Sequence, residues 1–219
     1  MAQEDSLRER LIGVGVDVVM TDGIAALGLR EIARRAGVSH GAPRRYFATH
    51  HALLSAIAQR GFADLRARFE AATAAVTSPR DRLAALAHTY VRYALEHRGM
   101  FELMFRHDLL DSGPHTSAHG PRLRESTLPL FETIVALIAE CRTEPAGRRR
   151  DDVRSSAEPP PAVTAAALWS NLHGIAQLWA WDSLRLALGT PSAGPAPGGD
   201  HLELLVTAAL DAHLGPARA

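Results

Sequence analysis

The residues best suited to chemistry are five arginines crowded into residues 28–50: Arg30, Arg34, Arg35, Arg44 and Arg45, against one acid, Glu31. That stretch carries five minus one, +4. Residues 1–27 carry two arginines and five acids, −3, and residues 51–219 carry 17 arginines and 18 acids, −1. The 219-residue chain as a whole is neutral, and all 24 basic residues are arginine. A short basic segment in a neutral chain is the charge pattern of a local nucleic-acid contact. The guanidinium fork can donate two hydrogen bonds to O6 and N7 of guanine, worth roughly 1–3 kcal/mol of discrimination.

Catalysis has no comparable signal. No nucleophile motif, glycine-rich phosphate loop or HExxH stands out. His88, His97, His107 and Asp108 as acid–base groups, or His50 and His51 as metal ligands, lack a shared spacing that would make a site. Cys141 is the only cysteine, which excludes an internal disulfide and a multi-cysteine metal cluster and fits a reducing compartment. The expectation is a non-enzyme with no cofactor, no catalytic residue and no metal. No apolar run approaches the ~18 residues of a membrane helix, and Met-Ala-Gln-Glu-Asp lacks the pattern of a signal peptide. A cytoplasmic location and no membrane partner are expected.

The elements around the arginines read as helix, turn, helix. Residues Leu29 to Ala36 place Ile32, Ala33 and Ala36 on one face. Ala33 is small enough for a second helix to cross closely, Gly37 tolerates a left-handed turn, and Val38 plugs it. A helix opening at Ser39 or His40 and ending near Phe47 would present His40, Gly41, Ala42, Arg44, Arg45 and Tyr46 to a major groove. Arg30 is placed for a backbone phosphate. The other reading is that Arg44 and Arg45 lie on a solvated face. Pro43 is tolerated only in a first turn, so a shortened or re-angled reading helix is expected.

Helical periodicity recurs along the rest of the chain, with no strand pattern of useful length. The spacing predicts helices near 6–22, 50–76 (capped by Thr49), 79–98, 100–110, 122–142, 162–188 and 200–214. Polar or glycine- and proline-rich stretches separate them near 111–121, 143–160 and 189–199. The fold class is all-α, with about nine helices and a division at residues 1–50 and 51–219.

The run Leu29-Arg30-Glu31-Ile32-Ala33-Arg34-Arg35-Ala36-Gly37-Val38-Ser39, then Arg45-Tyr46-Phe47 and Ala52-Leu53-Leu54, resembles the N-terminal domain of TetR-type transcriptional regulators. The resemblance implies a three-helix DNA-binding domain on a helical body that binds a small effector. It also implies a homodimer through the last two helices, on a palindromic double-stranded operator, acting mostly as a repressor. By position the implied DNA contacts are Arg30, His40, Gly41, Ala42, Arg44, Arg45, Tyr46 and His50. The chain departs from the family at Pro43 (often aliphatic), Arg44 (often aromatic), His50 (often lysine) and Gly28 (often threonine).

The body offers two candidate effector segments. Phe101, Met104 and Phe105 sit in a segment that commonly lines the family's pocket. Trp169, His173 and Gln177 share a face at i, i+4 and i+8, within a Trp…His-Gly run resembling one subgroup of TetR-type C-terminal domains. Phe131 completes the set. For Phe101, Met104, Phe105 and His173 ordinary core packing is the competing reading. The competing function is a helical scaffold that binds protein without reading DNA, which leaves the basic segment unexplained.

Overall fold

The computed structural model describes residues 2–106, 109–110, 123–143, 158–189 and 198–216. Most of the stretches near 111–121, 143–160 and 189–199 lie outside the described residues. Among the described residues there is no strand, and nine α-helices follow in order: α1 Ala2–Asp22, α2 Leu29–Arg35, α3 His50–Thr73, α4 Pro79–Glu96, α5 Arg98–Phe105, α6 Leu123–Thr143, α7 Pro161–Ala180, α8 Ser183–Ala187 and α9 Gly198–Leu214. Two 3-10 turns, Ile24–Ala26 and Ala42–Arg45, flank α2. The fold is all-α.

The count of nine is reached by a different route from the one periodicity gives. The short helix expected up to Phe47 is a 3-10 turn. The long helix expected over 162–188 breaks at Trp181–Asp182, where Asp182 adopts a left-handed φ of 60°. Aspartate enters that region more readily than most residues because its short polar side chain can bond locally; Arg185 Nη1 donates back to it at 3.2 Å. Apolar periodicity continues across the break, so the sequence conceals it.

The described chain forms two compact units: Met1–Ala67 with Glu96–Leu128, and Arg68–Leu95 with Pro129–Ala219. In the first, α1 buries Leu11, Val18 and Val19 along one stripe. The fully buried Ile32, Leu53, Ile57, Leu103 and Met104 belong to the same unit. Thr49 caps α3, its Oγ1 accepting the Ala52 N–H at 3.0 Å. Helix α5 lies against α1 and α3 at two glycines. A Cβ on Gly99 would stand 2.2 Å from the Val19 carbonyl oxygen, and one on Gly61 would stand 2.7 Å from Met104 Sδ.

In the second unit, α7 packs with α8 and α9. Leu168, Leu172, Ala176 and Trp179 of α7 and Val206, Ala209 and Leu210 of α9 are buried. Arg80 of α4 pairs with Asp211 of α9. Arg142, at the end of α6, donates to the Pro159 carbonyl and to Thr164 Oγ1, both at 2.8 Å, and so fixes the start of α7.

Candidate functional site

Helix α2 and the turn Ala42–Arg45 carry the basic segment. Ile32 and Ala33 are fully buried and Phe47 nearly so, which anchors both pieces to the core. Between them Gly37 has φ 67°, a value that strains any residue with a Cβ. The Val38 N–H returns to the Ala33 carbonyl at 3.0 Å and closes the turn.

Pro43 explains why no regular helix follows. The Ala42 N–H donates to the Ser39 carbonyl at 2.9 Å, and the Tyr46 and Phe47 N–H groups both donate to the Pro43 carbonyl, at 3.1 and 2.9 Å. An α-helix running from Ser39 would need the residue 43 N–H to donate to Ser39, and proline has none. The reading segment is a four-residue 3-10 turn with buried Pro43 inside it.

Arg44 and Arg45 are exposed on this turn, and Arg30 is exposed at the start of α2. Among the described residues none of the three makes an ion pair. Arg34 and Arg35 are engaged instead. Arg34 Nε and Nη2 donate to the two Glu31 carboxylate oxygens at 2.8 and 2.6 Å, Arg35 Nε donates to Glu31 Oε1 at 2.6 Å, and Arg35 Nη2 donates to Asp22 Oδ2 at 2.5 Å. The hydrogen bonds from Arg34 and then Arg35 hold the Glu31 carboxyl down to about 2. Both guanidinium groups are pushed up, chiefly by the hydrogen bond to Glu31.

The other residues expected to meet DNA differ in exposure. His40 and Gly41 are exposed; Ala42 and Tyr46 are half-buried. His50 is half-buried, with its Nε2 2.6 Å from the Leu27 carbonyl oxygen. A carbonyl only accepts, so Nε2 carries the hydrogen. His50 thereby ties the start of α3 to the end of the turn Ile24–Ala26, leaving Nδ1 as its other polar atom.

The effector candidates separate by unit. Phe101 and Met104 are buried and Phe105 is half-buried in the first unit, where Phe105 meets Phe101 edge-on at 4.9 Å and Phe62 at 5.8 Å. In the second unit Trp169 and His173 are joined through Tyr90 of α4, a residue that no sequence motif marks. The indole N–H of Trp169 donates to the Tyr90 oxygen at 2.9 Å, and the Tyr90 oxygen lies 2.9 Å from His173 Nδ1. A hydroxyl has one hydrogen and two acceptor sites, so with the indole on one acceptor site the Tyr90 hydrogen is available to His173 Nδ1, the arrangement that goes with an imidazole proton on Nε2. Burial pushes the Tyr90 hydroxyl up and the His173 imidazole down, so both stay neutral near pH 7. Phe131 and Gln177 are half-buried in the same unit and are not joined to this trio by a hydrogen bond or ring contact among the described residues. Only tertiary structure reveals Tyr90, because it lies 79 residues from Trp169 in the chain.

Among the described residues no group of three or more His, Cys, Asp or Glu could hold a metal ion, and no helix is long and apolar enough to cross a membrane.

Two family matches decide the identity of this architecture. Residues 11–57 match the family described as "Bacterial regulatory proteins, tetR family". Residues 83–193 match the "Tetracyclin repressor-like, C-terminal domain". The chain belongs to the TetR family. It is a DNA-binding transcriptional regulator of that family, and the turn built around Gly37 lies inside its N-terminal match. The matches do not single out the Trp…His-Gly subgroup.

Solved structures agree. A protein of unknown function from Rhodococcus sp. RHA1 is 30% identical to this regulator, with a TM-score of 0.67, 97% of this chain and 96% of that chain covered. The TetR family transcriptional regulator PfmR from Thermus thermophilus is 18% identical, with a TM-score of 0.57 and coverage of 96% and 100%. RolR, solved with resorcinol bound, is 19% identical, with a TM-score of 0.61 and coverage of 97% and 90%. The last two show likeness of fold. No curated protein matches the chain.

Proposed function

We propose that this TetR-family regulator is a homodimeric repressor that reads a palindromic operator and leaves it when a small, largely apolar effector binds. The observation that carries the reading is the sorting of the basic segment: Arg30, Arg44 and Arg45 are exposed without ion pairs among the described residues, while Arg34 and Arg35 are engaged by carboxylates. Residues 1–50 read DNA, and residues 51–219 pair the subunits and hold the effector. Arg44 and Arg45 read base edges, Arg30 and Tyr46 contact backbone, and His40, Gly41 and Ala42 let the turn approach the groove. His50 reaches phosphate only through Nδ1, and only with a hydrogen there. The protein works in the cytoplasm by binding rather than catalysis.

Pairing is supported by exposed apolar surface. Apart from Met20 and Leu128, every exposed large apolar side chain among the described residues falls between Val163 and Leu204. Val163, Ser170, Gly174 and Trp181 fall on one face at helical spacing. A Cβ on Gly174 would meet nothing within 4 Å, so that face is open to a partner helix. A two-fold dimer through α7 and α9 sets the two reading turns roughly 34–36 Å apart, one turn of DNA.

Effector binding is supported by the neutral trio of Trp169, Tyr90 and His173, a few oriented polar groups beside aromatic surface. Binding of resorcinol by RolR is a precedent on the same fold. Phe131 and Gln177, of the same unit as the trio, supply further lining, and Phe101, Met104 and Phe105 are a separate apolar candidate within the first unit. Relief of repression follows if the effector favours a spacing of the reading turns that does not fit DNA.

The test is selection of bound duplexes from a random pool, followed by sequencing. An enriched two-fold symmetric motif is expected, and Arg44→Ala with Arg45→Ala should abolish the enrichment while leaving thermal unfolding unchanged. A pool that stays random, or a motif that survives the double substitution, overturns the assignment.

A further inference from the structure

We propose that Glu31, assisted by Asp22, sets the selectivity of this regulator by holding Arg34 and Arg35 away from phosphate. The proposal rests on the DNA-binding reading and deepens it. Glu31, Arg34 and Arg35 stand at i, i+3 and i+4 on α2, so their side chains meet on one face. Each guanidinium spends its planar two-donor edge on carboxylate: Arg34 through Nε and Nη2 on Glu31, Arg35 through Nε on Glu31 and Nη2 on Asp22. That edge is one of the two that grip phosphate in two-point fashion, and the other shares its Nη2.

Two arginines and two acids cancel. Counting Asp22 with residues 28–50 gives five positive charges minus two, +3, and the three uncompensated arginines are Arg30, Arg44 and Arg45. The arginines of the interface are thereby confined to the start of α2 and the reading turn. An arginine on phosphate strengthens binding to every sequence alike; one on a base edge strengthens binding to one sequence. Withdrawing Arg34 and Arg35 from phosphate lowers the first and leaves the second. Moving Arg35 to phosphate would also leave Asp22 without its arginine, and moving both would leave Glu31 bare beside the DNA backbone. These exposed pairs add little to folding, so their effect is read in binding.

The experiment uses a random-sequence duplex of about 30 base pairs and measures affinity against salt for the full-length protein. Each arginine recruited to phosphate adds about 0.9 to the slope of log K against log salt. Glu31→Gln is expected to bind the random duplex more tightly at low salt, with a slope steeper by about 1–2 per protomer. Adding Arg34→Gln and Arg35→Gln to that variant should return the slope to that of the unaltered protein. Asp22→Asn, which releases one of the two bonds of Arg35, should steepen the slope by a smaller amount. An unchanged slope for Glu31→Gln with helicity intact overturns the proposal. If Glu31→Gln does not fold, an unchanged slope for Asp22→Asn overturns it. Failure of the unaltered protein to bind any duplex at low salt overturns the DNA-binding reading itself and the proposal with it.

Discussion

Gly99 lies so close to α1 that a Cβ there would stand 2.2 Å from the carbonyl oxygen of Val19. The obstacle is backbone, which cannot rotate out of the way as a side chain tip can. Helix α5 therefore starts where a glycine permits it, against the helix that also supports α2. Gly99→Ala should cost roughly 1–3 kcal/mol, the usual range for overpacking. Urea unfolding followed by circular dichroism checks this, and an unchanged midpoint would show that α5 can move away from α1 without loss.

Tyr90→Phe removes the one oxygen that both Trp169 and His173 address. The expected loss is about 1–3 kcal/mol of stability, because the partners are partly buried. Nitrogen NMR of His173 offers a sharper readout. The native protein should show the proton on Nε2, and the variant should show a mixture of tautomers. A native Nδ1–H tautomer would reverse the direction of the hydrogen bond and sink this account of the trio.

Stability should fall with acid over a defined window. Burial pushes both His88 and His173 below their ordinary value of 6.5, and for His88 the charge of Arg92 adds to burial while that of Glu203 opposes it. Below 6.5 the unfolded chain takes up protons that the folded chain refuses, so stability rises with pH there. The contribution is whole above 6.5 and is lost as pH falls from 6.5 towards the lowered folded values. Urea midpoints measured between about pH 7.5 and 5.5 should decline, and His173→Gln should flatten part of that decline. A decline identical in the variant would assign the whole effect to other groups.

Leu178 of α7 and Leu204 of α9 are 41% and 62% exposed. If that surface pairs two subunits, Leu178→Asp with Leu204→Asp buries two unpaired charges on association and should yield a monomer. Sedimentation velocity decides it. A dimer that withstands both substitutions would place the pairing surface elsewhere.

Much of the reading segment was legible in the sequence because its constraints are local. The small residue at Ala33, the left-handed turn at Gly37 and the anchors Ile32 and Phe47 follow from residue type at fixed spacing, and the structure shows Gly37 at positive φ and the other three buried. The disruption at Pro43 was legible too, since a missing N–H is a property of the residue itself. Helix periodicity also placed α3 and α4, and the cap expected at Thr49 is formed at the start of α3.

What the sequence left open depends on residues far apart in the chain. Arg34 and Arg35 counted as part of a +4 segment until Asp22, 13 residues before Arg35, was found against it. Tyr90 carries no mark in the sequence, because an amphipathic pattern records which side of a helix is buried and not what a hydroxyl finds there. The break at Asp182 was hidden because apolar residues continue through it. By itself, then, the sequence determined an all-α chain with a DNA-reading turn of known place, since period, turn chemistry and proline act within a few residues. Only the tertiary structure decided which arginines of the basic segment stay outside ion pairs and which polar groups meet inside the body, since those depend on the distances between separate helices.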